Sequence, residues 1–263
     1  KPEIVFHAAA YKHVPLMEVN PSEAVRTNVG GTKILADLSI KINVEKFIFI
    51  STDKAVNPTN VMGASKRISE MYCQSLSKIT NTKFITTRFG NVLGSSGSVI
   101  PLFRKQLENG GPITVTHKNV TRYFMTIPEA CRLVLEAGYM GNGGEIYVFD
   151  MGDSLKIIDL AKKMIQLAGL KIEKDIKIKI TGLRPGEKMY EELLGDDENT
   201  IGTHHPKIMI GKVKPINHDD INKLVEKLIS LVKNQENEKI VRNMKSIVPE
   251  FISNNSEFSK LDK

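Results

Sequence analysis

The nine residues Lys46-Phe47-Ile48-Phe49-Ile50-Ser51-Thr52-Asp53-Lys54 decide the fold. The apolar run after Lys46 lacks the alternation of a half-exposed strand, as expected in a parallel sheet covered on both faces. It then stops on a hydroxyl, a carboxylate and an amine in three successive positions. Ending a buried strand on charge is costly unless the charge is paired, and in a doubly wound sheet this end of the strand is where ligands bind. The bland alternative is a solvated loop with a Thr52 turn and an exposed Asp53–Lys54 pair.

Working outward, strand and helix signals alternate. Ile4-Val5-Phe6 reads as a short buried strand ending in His7-Ala8-Ala9-Ala10. Asn20-Pro21-Ser22-Glu23 opens a helix with a cap, a proline at the first position and an acid in the first turn. Val25, Val29, Thr32, Leu35, Leu38 and Ile42 follow at helical spacing. A second helix starts at Asn60, with Ile68, Tyr72, Ser75 and Ile79 on one side, and Phe84–Thr87 is a third strand. Helices are expected over Val99–Leu107, Pro128–Ala137 and Ile157–Ala168, and strands over Glu145–Phe149 and Ile176–Ile180. This order predicts an α/β fold with a parallel sheet. From residue 217 the pattern becomes two amphipathic stripes, Ile221-Leu224-Val225-Leu228-Val232 and Ile240-Met244-Ile247. They read as a helical appendage packing on the body or on another subunit.

The 263 residues are 41% hydrophobic and 25% charged, which excludes disorder as the main state. No apolar run approaches the roughly 18 residues of a membrane span. Lys1-Pro2-Glu3-Ile4-Val5 does not resemble a signal peptide. Cys73 and Cys131 stand far apart without metal or redox spacing, which predicts a reducing, cytoplasmic setting and no metal. The net charge of +7 is spread along the chain with no basic block. Nucleic acid is therefore not an expected partner; scattered lysines and a few arginines suit small anionic substrates.

The strand ends concentrate the chemistry: His7–Ala10, Ser51–Lys54 and Arg88-Phe89-Gly90-Asn91. Small residues after the first strand allow close approach of a planar or phosphorylated ligand. Met62 and Lys66, four apart, share a helix face, so Lys66 is expected to point back towards Thr52–Lys54. His204-His205 lacks helical metal-ligand spacing and a third ligand and reads as structural, as do Glu187 and Lys188.

Five segments, taken in order, carry a resemblance: His7-Ala-Ala-Ala-Tyr-Lys-His-Val-Pro-Leu-Met-Glu18, Ser51-Thr-Asp-Lys-Ala-Val-Asn-Pro-Thr-Asn-Val-Met-Gly-Ala-Ser-Lys66, Arg88-Phe-Gly-Asn-Val-Leu-Gly-Ser-Ser-Gly-Ser-Val-Ile-Pro101, Thr121-Arg-Tyr-Phe-Met-Thr126 and Gly182-Leu-Arg-Pro-Gly-Glu-Lys188. Together they resemble the nucleotide-sugar 4,6-dehydratases of bacterial capsule, O-antigen and protein-glycan synthesis, extended short-chain dehydrogenase/reductases, and most closely those acting on UDP-N-acetylglucosamine. The resemblance implies a doubly wound NAD(P)-binding Rossmann fold over residues 1–92 and 119–150. It also implies a smaller nucleotide-sugar lobe over 93–118 and 151–216, with the helical extension at 217–263. It implies NAD rather than NADP as cofactor, a UDP-sugar substrate, a homo-oligomer and a membrane-anchoring region upstream of the cytoplasmic part.

Two departures stand out. The chain holds no Gly-x-Gly-x-x-Gly and begins at what resembles the family's fourth strand, so an amino-terminally truncated fold is expected. Met62 occupies the position where most short-chain dehydrogenases carry a proton-moving tyrosine, although one branch of these dehydratases shares the methionine.

The resemblance implies a lyase (hydro-lyase) cycle in which NAD takes a hydride from C4 of the hexose, water leaves across C5 and C6, and the hydride returns to C6. The chain must then supply an acid and a base. Asp53 is the expected acid and Lys54 the expected C5 base, with Thr52 on the C4 oxygen and Lys66 on the nicotinamide ribose. Burial under a closed substrate is expected to raise the Asp53 pKa and lower that of Lys54. Ala8, Ala9, Lys12, Asn28, Lys66 and Phe89 are the expected cofactor contacts. His13, Asn91, Ser98 and Val99 are expected at the sugar nucleotide, with Arg122 and Arg184 on its diphosphate. A nucleotide-sugar 4-epimerase shares the fold but does not need Asp53–Lys54 and normally needs the tyrosine. A non-catalytic nucleotide-binding fragment is the third reading.

Overall fold

A computed structural model describes residues 1–194, 199–212 and 216–262. The amino-terminal third contains β1 (Ile4–His7), α1 (Val14–Val19), α2 (Pro21–Ala24), a π-helical stretch Val25–Gly30, α3 (Gly31–Lys41), β2 (Lys46–Ile50) and α4 (Val61–Leu76). The middle adds β3 (Lys83–Arg88), β4 (Asn91–Val92), α5 (Val99–Glu108), β5 (Ile113–Val115), β6 (Thr121–Arg122), β7 (Phe124–Met125), α6 (Ile127–Met140) and β8 (Ile146–Phe149). After these come β9 (Leu155–Lys156), α7 (Ile157–Leu167), β10 (Ile178–Ile180), β11 (Thr200–Gly202), β12 (Ile208–Gly211), α8 (His218–Leu231) and α9 (Asn237–Ile247).

The main sheet runs β1-β2-β3-β8-β12-β11. Its first four strands are parallel, and β12 and β11 extend it antiparallel. Alternate residues of β2 face opposite ways. Phe47 and Phe49 join one core with Phe84, α4, α8 and α9, whereas Ile48 joins another with Ile85, Phe149 and α6. Helices therefore cover both faces, which makes this a doubly wound Rossmann-type sheet. A third core gathers Phe103, Ile113, Val115, Ile157, Ile165 and Ile176 around α5, β5, α7 and β10. The expected strand at Ile176–Ile180 shortens to β10, paired in parallel with β5.

Five apolar positions of the expected stripes lie outside the core. Leu35, Leu38 and Ile42 are 39%, 49% and 37% exposed, while Ala36 and Ser39 are buried in their place. Each step of three residues falls about 60° short of a full turn, so two such steps after Thr32 carry the stripe off the core face. Ile79 lies beyond the end of α4 and is exposed, and Leu224 sits at the rim of its helix.

α4 is the central helix. Thirteen of its 16 residues are buried, because the sheet lies on one side and α8 and α9 on the other. Its start is fixed twice: Asn60 Oδ1 accepts from Gly63 N at 2.7 Å and Glu18 Oε1 from Val61 N at 2.6 Å. The appendage thus packs on the body of its own chain. Among the described residues no helix is long and apolar enough to cross a membrane.

Candidate active site

A cavity of about 500 Å³ opens where the carboxyl ends of β1, β2 and β3 meet the small third core. That volume suits a nucleotide-sized ligand. Thr52, Lys54, Met62, Lys66 and Phe89 line it from the sheet side, with Ala8, Lys12 and His13 beside them. Asn91, Ser98, Val99, Arg122 and Arg184 line it as well. Ala9 and Asn28 do not reach it. The Asn28 side chain instead braces the loop after β1, accepting from Tyr11 N at 2.8 Å and donating to Tyr11 O at 3.0 Å and Ser65 Oγ at 2.8 Å.

The Asp53–Lys54 pair is no solvated turn. Asp53 is 0% exposed, set behind Thr52 and Lys54 rather than on the cavity wall. Its Oδ1 accepts from Thr52 Oγ1 at 2.9 Å and from Lys54 Nζ at 2.9 Å. Its Oδ2 has no hydrogen-bond partner among the described residues. Lys54 Nζ also donates to Asn91 Oδ1 at 3.1 Å and lies 3.3 Å from Glu191 Oε1. Gly63 makes this placement possible: a Cβ there would stand 2.1 Å from the Lys54 carbonyl oxygen, so the turn rests directly on α4. Gly97 serves His13 in the same way, with a Cβ 2.3 Å from the imidazole ring.

The electrostatics match the expectation for one partner and reverse it for the other. Burial, aided by the Glu191 charge, pushes the Asp53 carboxyl up against the opposing pull of Lys54. Burial lowers Lys54, but the charges of Asp53 and Glu191 outweigh it, and the amine is held above its ordinary value. The expected lowering of Lys54 is therefore not a property of this structure, because two carboxylates rather than one face the amine. Lys66 does lie low, at about 8, because burial outweighs the pull of Glu70. Its Nζ donates to the Ile50 carbonyl at 2.6 Å and stands 4.0 Å from the Phe49 ring centre.

The two arginines differ. Arg122 is buried, and its guanidinium donates to the carbonyls of Thr121, Met189 and Lys188 and to Glu187 Oε1. These bonds make it a strut between β6 and the loop 187–191. Arg184 is 56% exposed in its side chain and, among the described residues, its guanidinium pairs only with Glu187, so its remaining donors are available to the cavity. Glu187, which also accepts from Thr116 Oγ1 at 2.9 Å, is structural. His204 pairs with Glu136 at 3.0 Å, and no group of metal-ligating side chains occurs among the described residues.

Sequence reasoning missed Glu191. It lies three residues past the Gly182–Lys188 segment, and that proximity was its only signal. The frame of the cavity also includes residues from the far end of the chain. Ile252 N and Asn254 N donate to the carbonyls of Pro58 and Thr59, Asn254 O accepts from Gly186 N, and Ser256 Oγ donates to Glu18 Oε2.

The sequence profile of the polysaccharide biosynthesis protein family matches residues 1–213. The chain belongs to this family. It is 58% identical over 231 residues to the capsular polysaccharide biosynthesis protein CapD of Staphylococcus aureus, a match covering 88% of this chain and 38% of CapD. It is 40% identical to a UDP-glucose 4-epimerase of Rickettsia canadensis, covering 74% of this chain and 57% of the relative. It is 36% identical to a UDP-N-acetylglucosamine 4,6-dehydratase (inverting) of Campylobacter jejuni, covering 75% and 58%. The chain thus spans well under two thirds of these relatives. Among solved structures, Pen from Bacillus thuringiensis superposes with a TM-score of 0.73 at 35% identity, over 86% of this chain and 75% of that one. The fold read from the sheet order is therefore the fold of the family's structural neighbours.

The cavity fits one half of a dinucleotide. Ala8 and Ala10 leave room beside Thr52 and the buried Lys66 cation, which suits a nicotinamide and its ribose. The pyrophosphate is served less well, because the 263 residues hold no Gly-x-Gly-x-x-Gly turn.

Proposed function

We propose that the chain carries the reaction centre of an NAD-dependent 4,6-dehydratase acting on a UDP-hexose, UDP-N-acetylglucosamine, in surface polysaccharide or glycan synthesis. One observation carries this reading: a buried carboxyl and an amine, adjacent in sequence and 2.9 Å apart, stand at a strand end where the neighbouring helix offers Met62 in place of a proton-moving hydroxyl. When bound, NAD supplies the hydride chemistry at C4 and C6. The chain handles the protons. Lys54, on the cavity wall, removes the C5 proton in its neutral form. Asp53 keeps the proton that leaves with the C6 hydroxyl. Because Asp53 lies behind Thr52, that proton passes through the Thr52 hydroxyl, which already bonds Asp53 Oδ1. Lys66 holds the nicotinamide ribose, and Arg184, with its available donors, meets the diphosphate.

The 40% identity to a UDP-glucose 4-epimerase supports a second reading, 4-epimerisation. That reaction needs no base at C5 and leaves the Asp53–Lys54 pair without a task. Mass spectrometry separates the readings. The chain, alone and fused behind the Gly-rich segment of a relative, is incubated with NAD and UDP-N-acetylglucosamine. Loss of one water supports dehydration, an isomer of equal mass supports epimerisation, and an unchanged substrate with the fused protein rejects both.

A further inference from the structure

We propose that Glu191 is the positioning residue for Lys54: it holds the amine at the cavity wall and is the counter-ion of the ammonium formed when Lys54 takes a proton from the substrate. The proposal rests on the dehydration reading and adds a residue to it.

Glu191 is nearly closed off, with its side chain 3% exposed, yet it lies on the cavity. Its Oε1 is 3.3 Å from Lys54 Nζ and 3.6 Å from Arg122 Nε, and its Oε2 has no partner among the described residues. Four elements bring charge or polarity to this spot. The strand-end turn brings Asp53 and Lys54, β4 brings Asn91, and β6 brings Arg122. The loop of Glu191 itself brings Lys188 and, across Arg122, Glu187. Lys188 Nζ is turned away onto the Val56 carbonyl and Glu192.

Asp53 stands closer to the amine than Glu191 does, but the two carboxyls are not equivalent. Asp53 is buried behind the wall, where burial and the neighbouring Glu191 charge favour its protonated form. Burial also opposes the charge of Glu191, but Lys54, Arg122 and Lys188 overcome it and keep Glu191 ionised. Of the two carboxyls facing Lys54, Glu191 is therefore the one whose surroundings favour the negative charge. As the C5–H bond breaks, its electron pair stays on the carbon next to the C4 ketone, and the proton goes to Nζ. The new ammonium forms beside an anion already in place. Such preorganised charge costs no rearrangement during the step. The same charge adds to that of Asp53 in holding the resting amine above its ordinary value against burial.

The test reads Lys54 directly. Trace acetylation with acetic anhydride across a pH series, quantified by peptide mass spectrometry, reports the pH at which Lys54 becomes nucleophilic and needs no turnover. In E191Q that pH should fall by about 1 unit or more, the usual effect of removing an opposite charge at contact distance. E191D, with the carboxylate withdrawn by one methylene, should shift less in the same direction. E192Q, an exposed neighbour, should track the parent. If E191Q fails to fold, E191D decides. Profiles of E191Q and E191D that both superimpose on the parent overturn the proposal. A shifted profile in a fused protein that removes no water from UDP-N-acetylglucosamine overturns the dehydration reading and keeps Glu191 as the partner of Lys54. An unshifted profile with dehydration intact overturns Glu191 alone.

Discussion

Two of the places where the molecule buries charge differ, and the contrast separates what holds the fold from what serves the cavity. Below the strand ends, Glu70 of α4 meets Arg88 of β3. Both are fully buried, with Nε to Oε1 at 2.8 Å and Nη2 to Oε2 at 2.7 Å, and Arg67 adds a contact at 3.2 Å. Burial drives the Glu70 carboxyl up, but Arg88 and Arg67 outweigh it and hold it below its ordinary range. Both of its oxygens are used. At the cavity, Asp53 and Glu191 share Lys54, and each keeps one oxygen without a hydrogen-bond partner among the described residues. A closed pair secures its own geometry. An open one leaves polar atoms for a ligand, at a cost in stability.

Breaking the closed pair should give the largest change. Arg88→Leu strands a buried carboxylate and is expected to cost about 3–5 kcal/mol in urea unfolding. Adding Glu70→Leu should recover much of that loss, since a buried pair exchanged for apolar groups is close to neutral. A double variant as unstable as the single would show that the pair does more than neutralise itself.

Asp53→Asn should behave in the opposite way. Its melting temperature is expected at or above that of the parent, while dehydration by the fused protein falls by about 10²–10⁴-fold, the usual worth of a general acid. A melting temperature lowered as far as in Arg88→Leu would erase the distinction between the clusters. Gly63→Ala places a methyl group against the Lys54 carbonyl. It is expected to cost about 1–3 kcal/mol as overpacking, with activity lost as the turn lifts off α4. Arg184→Ala should leave unfolding unchanged and weaken UDP-sugar binding by about tenfold or more in titration calorimetry, on the scale of a lost charged hydrogen bond.

Acid sharpens the contrast most gently. Glu70 sits below its unfolded value, so its contribution is complete above the ordinary glutamate range and is lost as the pH falls through the folded value. Asp53 sits above its unfolded value, so its contribution is present below the ordinary aspartate range and is lost as the pH rises through the folded value. Glu70→Gln should therefore flatten the acid loss in a stability–pH curve, and Asp53→Asn should remove a slope of opposite sign. Slopes of the same sign would contradict the two pKa directions.

Much of this was legible in the sequence because it is local. The apolar run Phe47–Ile50 ending at Thr52-Asp53-Lys54 specified both the strand and the site, and Met62 and Lys66 met the cavity as their helical spacing requires. What escaped was set by distant partners. Nothing near Arg122 reveals that the carbonyls of Met189 and Lys188 occupy its donors. Nothing near Lys54 reveals a second carboxylate arriving from residue 191. After Thr32 the apolar spacing and the helix phase part company, and the core face falls on Ala36 and Ser39.

The bond from Ser256 to Glu18 joins positions 238 apart in the chain. Contacts of such separation form late, because loop closure must be met before they reward it. On the ribosome the sheet core can assemble around β2 and β3 while the mouth of the cleft still waits for residues 252–256. The helix that carries Met62 and Lys66 gains the final link of its amino-terminal cap only then. Synthesis therefore brings out the strands of the sheet before the residues that close the mouth of the cleft.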